Sequence, residues 1–299
     1  ANYSAAKRFY EALGCQQAPR PIHMNCGGHT QFHLPQEEPT QRWRGEVTIA
    51  YTERGLAAVH ERLRAFVDSV EGSSVKTEHV DDRRLSVRGP WGDFALREAT
   101  DAEAAMGALP TSRPNTGETV SFGVVGIVEI TLPIAPGTAT AVARFYEEAL
   151  RFQVRVSCQA GLAEVVVLGG PVPGSQQLRL LECEAGCAPP DYTGDHFCLY
   201  IGDFEGCFER CRERGLLYVN PRFTHLDDSR TLEDARHWQA FRILDVAEGA
   251  KMDESGGREA REVLFTEEHE IRSRLHQRLS LPDPGSEGGE RDQKRTRLS

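Results

Sequence analysis

Arg8-Phe9-Tyr10-Glu11 recurs as Arg144-Phe145-Tyr146-Glu147, and both tetrapeptides run into Ala-Leu, at Ala12-Leu13 and Ala149-Leu150. Phe9, Tyr10 and Leu13 in one copy, and Phe145, Tyr146, Ala149 and Leu150 in the other, share one stripe of a helix. Gly14 stands where the first helix must stop, at a position that favours left-handed backbone. Four matching residues decide little alone. The elements that follow them decide more.

Thr30–Leu34 reads as a strand after the first helix, and Glu164–Leu168 and Gln177–Leu181 read as strands after the second. Each copy then presents a strand leading into a second amphipathic helix. In the first copy these are Gly45–Tyr51 and Gly55–Val70; in the second they are Asp195–Ile201 and Phe204–Gly215. Gly126–Ile134 supplies an opening strand to the second copy, and the first copy has no counterpart. The repeated order of strand, helix and strands predicts an α+β fold. The boundaries expected are a first domain over 1–100 that lacks its first strand, a linker over 101–119, a second domain over 120–281 and a disordered tail over 282–299. Residues 247–260 read as a solvated insertion between two strands. Because Ala1 opens within a helical pattern, further sequence is expected upstream.

At 299 residues the chain accommodates two ordinary domains, and 39% hydrophobic with 27% charged residues is the balance of a soluble globular protein. No apolar run approaches the roughly 18 residues needed to span a bilayer, and no signal segment opens the sequence. A net charge of −10 argues against a nucleic-acid partner. None of the eight cysteines forms Cys-x-x-Cys, and they read as reduced thiols. The expected compartment is therefore intracellular, the cytoplasm first, with organelle import left open by the missing start. Cys207 and Cys211 are one helical turn apart and read as buried filler before metal ligands.

The stretch Gly126-Ile127-Val128-Glu129-Ile130-Thr131-Leu132, with Arg144-Phe145-Tyr146-Glu147-Glu148-Ala149-Leu150-Arg151-Phe152 behind it, resembles the opening module of vicinal oxygen chelate domains. Asp191 to Phe204 resembles the start of the next module, and Gly89-Pro90-Trp91-Gly92-Asp93-Phe94 the turn before a closing strand. The resemblance covers roughly 1–100 and 120–280 of the chain. It implies tandem paired βαβββ modules of the glyoxalase, bleomycin-resistance and dioxygenase kind, four modules in two domains.

In such proteins a divalent metal sits in a cupped sheet, held by inward side chains of the first and last strands of each module. Carried onto this sequence, the resemblance implies Glu129, His196 and Glu270 as metal ligands, with Glu129 and Glu270 also as catalytic carboxylates. A carboxylate–imidazole–carboxylate set suits a hard or borderline divalent ion, with Zn, Ni, Mn, Co and Fe not distinguished. A fourth place falls at Arg179, which is no ligand, and Glu129 stands where His or Gln is commoner. Alternation places Glu268 and Glu270 on one strand face and Glu267 and His269 on the other, so a one-residue change of register makes His269 the ligand. Each residue also has a plainer reading: His196 as a hydrogen-bonded structural histidine, and Glu129 as the partner of Arg179 or Arg242. In the first copy the corresponding places hold Glu46 and Leu96, so that copy is expected to carry structure or half of a binding surface. His29 and His33 face a cup or its rim. His225 and Asp227 line a mouth over the metal or serve a turn, and Arg272 answers an anionic substrate or a nearby carboxylate.

Two functions fit these residues. One is a divalent-metal-dependent lyase or isomerase acting on a small oxygen-rich substrate through the C-terminal domain. The other is a non-catalytic protein that uses the fold to bind a ligand or a protein, with a dimer left open. No Ser/His/Asp order and no Gly-rich phosphate loop offers a third.

Overall fold

A computed structural model describes residues 3–18, 22–27, 30–34, 42–69, 74–107, 123–159, 161–170, 174–248 and 262–276. The element order is α1 (Tyr3–Ala12), β1 (Gln16–Gln17), β2 (His23–Cys26), β3 (Thr30–His33), β4 (Glu46–Tyr51), α2 (Glu53–Ser69), β5 (Lys76–Asp81), β6 (Arg84–Gly89) and β7 (Gly92–Glu98). Helix α3 (Asp101–Gly107) follows, inside the stretch expected to be linker. Then come β8 (Val124–Ile134), α4 (Ala139–Glu148), β9 (Gln153–Gln159), β10 (Leu162–Leu168), β11 (Gln177–Glu182), β12 (His196–Ile201), α5 (Phe204–Glu213), β13 (Leu217–Tyr218), α6 (Thr224–Asp227), α7 (Leu232–Trp238), β14 (Ala240–Glu248) and β15 (Glu262–Ser273). A βαβββ order occurs three times, from β4, β8 and β12, and α1 to β3 form a fourth unit without an opening strand. The insertion at 247–260 lies between β14 and β15, almost wholly outside the described residues, as does the tail.

The strands form three sheets: β1-β2-β3, an eight-stranded sheet β5-β6-β7-β4-β8-β11-β10-β9, and β12-β15-β14-β13. Antiparallel pairing of β4 with β8, Glu46 opposite Thr131 and Thr48 opposite Glu129, joins strands from either side of the 101–119 stretch into one sheet. Glycine makes that seam possible. A Cβ at Gly45 would stand 1.7 Å from the Thr131 carbonyl oxygen, and one at Gly123, whose φ is +72°, would stand 2.5 Å from the Gly55 Cα.

Two apolar cores flank the seam. Phe9 of α1 and Leu13 just after it pack with Met24, Val47, Ile49, Leu63 and Phe94 in the first. Phe145 and Tyr146 of α4 pack with Leu132, Val165, Phe208, Phe241 and Ile271 in the second. The repeated Phe-Tyr pair is therefore the core-facing stripe of both helices, each fully buried side chain contributing about 1.5–3 kcal/mol. Helix α1 ends as its sequence predicts, with Gly14 at φ +90°, Gly14 N–H donating to Glu11 O and Cys15 N–H to Tyr10 O. Tyr51 Oη and Arg62 Nε donate to the last free carbonyls, Leu13 O at 2.7 Å and Ala12 O at 3.1 Å. The second copy makes the equivalent turn with Arg151, a non-glycine residue at φ +61°. No helix among the described residues is long and apolar enough to cross a membrane.

Candidate functional site

Strand alternation sorts β15 into two chemistries. Glu268, Glu270 and Arg272 lie on one face, in register with His196, Cys198 and Tyr200 of β12. Arg242 of β14 stands opposite Glu270 on the same face. Glu267, His269 and Ile271 take the other face, toward α4. His269 Nε2 lies 2.7 Å from Tyr146 Oη and its Nδ1 lies 2.7 Å from Glu267 O. The register question left by the sequence is thereby answered: His269 is a core residue, fully buried, its imidazole held near pKa 4 by that burial.

The polar face is a buried charge network. Arg242 Nη1 lies 2.5 Å from Glu268 Oε1, its Nε 2.7 Å from Asp227 Oδ2, and its Nη2 3.3 Å from Glu270 Oε2. Arg272 Nε lies 2.6 Å from Glu270 Oε1, and its Nη1 donates to Tyr200 Oη at 2.9 Å. Glu268 Oε2 accepts from Asn220 Nδ2 at 2.7 Å and from Tyr192 Oη at 3.1 Å. Every carboxylate oxygen of Glu268 and Glu270 thus already faces a donor. Burial pushes the Glu270 carboxyl up, but Arg272 and Arg242 outweigh it and leave its pKa at about 2. Burial, with Arg242 and Arg272 nearby, draws His196 below the ordinary imidazole range. Burial raises Asp227 in spite of Arg242, and its Oδ1 has no hydrogen-bond partner. Asp227 is therefore part of this network, whereas His225 is exposed on α6.

The three-stranded sheet carries a second polar face. His23 pairs with His33 and Asn25 with Gln31 on one face, while Met24, Cys26 and Phe32 join the core. The two imidazoles stack at 4.2 Å with planes 10° apart. Burial, then His23 and Arg272, holds His33 near pKa 3, with Glu270 and His196 also within electrostatic reach. His29 lies outside the described residues.

Glu129 belongs to another face. It sits on the eight-stranded sheet beside Thr48, with Thr131 Oγ1 donating to it at 3.3 Å. Val128 and Ile130 point to the opposite side, so Glu129 is half-buried on a polar face and not sealed among apolar neighbours. Glu46 shares that face; burial raises its carboxyl, Arg84 opposes this, and Glu129 adds to it. Arg179, at the fourth ligand place, pairs with Glu164, its Nε 2.6 Å from Oε2, and Arg242 is committed to the β15 network. Leu96 is wholly buried in the first core. Arg97, on the same polar face as Glu46, is gripped by Glu103 of α3 at 2.8 and 2.6 Å, which brings that helix against the sheet. The sequence missed Arg44. It reaches across from the first half of the chain to Glu267, to Thr266 O at 2.8 Å and to Pro190 O at 3.3 Å.

The structure is similar to that of glyoxalase I from Zea mays, with a TM-score of 0.50 at 10% identity over 91% of this chain and 88% of that one. The chain has the vicinal oxygen chelate fold. Less close likenesses are a putative dioxygenase from Bacillus subtilis (TM-score 0.47, 14% identity, 90% of this chain and 80% of that one) and the fosfomycin resistance protein FosX from Listeria monocytogenes (TM-score 0.29, 14% identity, 49% and 90%). No protein-family model and no curated protein sequence matches the chain.

A resident divalent metal in this fold needs three or four donor side chains converging at about 2.0–2.2 Å from one point. Among the described residues no group of three or more His, Cys, Asp and Glu side chains does so. His196 and Glu270 share the face of the four-stranded sheet, while Glu129 lies on the eight-stranded sheet. Glu270, moreover, is bracketed by two arginines, whose charge opposes a cation at the same oxygens. Among the described residues, Glu129, His196 and Glu270 do not form a donor set that fits the metal.

Proposed function

We propose that the protein is a binding member of the vicinal oxygen chelate fold. In this reading it takes a small oxygen-rich ligand between the polar faces of the three- and four-stranded sheets, without a resident metal and without turnover. The pairing of Glu270 with both Arg242 and Arg272 carries this reading, because a carboxylate saturated by two guanidinium groups is neither a metal ligand nor a free base. His33 and His196, held neutral by burial, then supply donors and acceptors to a ligand.

Metal analysis of protein purified without chelator tests it. The expected result is well under one equivalent of divalent metal, with the same melting temperature in the presence and absence of EDTA. One equivalent that disappears in a folded His196→Ala or Glu270→Ala variant overturns the reading and restores a metal-dependent lyase or isomerase.

One observation favours a second reading, in which a divalent ion binds on the eight-stranded sheet. Glu46 and Glu129 share a face there, and burial, with the Glu129 carboxylate adding to it, holds the Glu46 carboxyl above its ordinary range unless a cation intervenes. Calorimetric titration with MnCl2 distinguishes the two. Binding of one ion, abolished by both Glu46→Gln and Glu129→Gln, supports this second site, and no heat above dilution removes it.

A further inference from the structure

We propose that Cys15 and Cys26 form a cross-strand disulfide that closes the first module under oxidising conditions. Both thiols are buried, at 2% and 0% exposure, both are free, and Cys26 lies close enough to Cys15 to help raise its thiol. Strand register explains the closeness. Gln16 pairs with Asn25 and Gln17 with Met24, so continuing the ladder by one residue sets Cys15 opposite Cys26.

The ladder also fixes which kind of pair this is. Ala18 N–H donates to His23 O at 2.8 Å, which makes Ala18–His23, and two residues along Gln16–Asn25, the hydrogen-bonded pairs. Cys15–Cys26 is then a non-hydrogen-bonded pair, consistent with Cys15 N–H turning instead to Tyr10 O. Such pairs hold their Cα atoms about 4.5 Å apart, inside the roughly 4.4–6.8 Å that a disulfide spans. The bond therefore forms with little backbone movement. Among the other cysteines, Cys207 and Cys211 are one turn apart on α5, where a helix holds the side chains along its axis and not across a ladder.

Closure joins parts that matter to the fold. Cys15 follows the end of α1, whose last carbonyls receive Tyr51 and Arg62. Cys26 precedes Gly27, whose bridge to Gly126 ties β2 to the eight-stranded sheet. The oxidant required is a low-molecular-weight disulfide. The Cys15 thiolate attacks one of its sulfurs and expels one thiolate, giving a mixed disulfide. The Cys26 thiolate then attacks Cys15 Sγ and expels the second. Two protein thiols are oxidised, one external disulfide is reduced to two thiols, and the two protons pass to those leaving thiolates. Burial, the first cause raising the Cys15 thiol, makes the first step slow unless β1 opens.

The test equilibrates the full chain in reduced and oxidised glutathione of graded ratio, with urea just below the unfolding transition so that β1 opens. Acid quench, alkylation and peptide mapping follow. The expected result is a Cys15–Cys26 linked peptide, lighter by two hydrogen atoms than the reduced pair. It should appear at a more reducing ratio than mixed disulfides at the exposed Cys158 and Cys187. The oxidised protein should melt about 5–10 °C above the reduced one, a rise absent in Cys26→Ser or, should that variant not fold, in Cys15→Ala. The proposal is overturned if Cys15 and Cys26 are both alkylated at ratios where Cys158 and Cys187 carry glutathione, or if their peptides link to other cysteines.

Discussion

Arg242 Nη1 stands 2.5 Å from Glu268 Oε1, and both side chains are almost wholly removed from solvent. The fold brings one guanidinium from β14 against carboxylates of β15 and α6, so a single cation answers Glu268, Glu270 and Asp227. In a low-dielectric interior such a group is costly to bury and far costlier to leave unpaired. The geometry of the candidate site is consequently set by Arg242 as much as by the residues around it.

Replacing Arg242 by methionine keeps much of the volume and removes the charge. Three carboxylates then lose their common partner, and the cost expected is about 3–5 kcal/mol of unfolding free energy. Urea denaturation at pH 7 measures it. Arg242→Lys should recover only part of the loss, since an ammonium cannot reproduce the fork that reaches Asp227 and Glu268 together. Equal stability of wild type and Arg242→Met would show that the network contributes nothing.

Glu270 makes acid stability a direct readout of its pairing. Its folded pKa of about 2 lies below the ordinary value of 4.5, so the unfolded chain takes up this proton first as pH falls. The contribution is fully present above about pH 4.5 and is lost as pH drops through 2. Glu270→Gln should therefore flatten the decline of the urea midpoint between pH 5 and 2. An unchanged slope would mean that Glu270 is not held by Arg272 and Arg242.

His269 acts in a different window. Its folded pKa of about 4 against an ordinary 6.5 keeps the imidazole neutral in the folded protein, while the unfolded chain protonates it below 6.5. The stability it contributes is present above pH 6.5 and lost as pH falls through 4. Wild type should thus weaken from pH 7 to pH 4, and His269→Gln should weaken less over that interval. Tyr146→Phe leaves Nε2 without its buried partner and should cost about 1–3 kcal/mol at pH 7, read from the shift of the urea midpoint.

Much of this was legible in the residues, and the remainder was lost for physical reasons. The Arg-Phe-Tyr-Glu helices, the βαβββ order and the two faces of β15 follow from periods of 3.6 and 2, which are local. Strand β5 could not be seen this way, because every residue of Lys76–Asp81 is exposed and no apolar alternation marks it. Helix α3 had a signal that composition hid: Thr100 and Glu103 form a reciprocal cap, with Thr100 N–H donating to Glu103 Oε2 and Glu103 N–H to Thr100 Oγ1. The location of Glu129 was beyond local reading. Nothing in β8 says whether its neighbour across the ladder is β12 or β4, and on that choice rests whether it can meet His196.

Gly45 tests the choice that was made. The pairing of β4 with β8 leaves no room for a side chain there, since a Cβ would press to 1.7 Å from a backbone oxygen of Thr131, and a carbonyl in a ladder cannot swing aside as the tip of a lysine can. Gly45→Ala must therefore either part the two strands at Glu46–Thr131 or fail to fold, with a cost of about 1–3 kcal/mol or more. Hydrogen exchange separates this from general destabilisation. The amides of Val47 to Ile49 and of Glu129 to Thr131 should lose protection first, while those of β10 and β14, away from the seam, keep theirs until global unfolding. Uniform loss across all sheets, or no loss at all, would show that the eight strands are not joined at this seam.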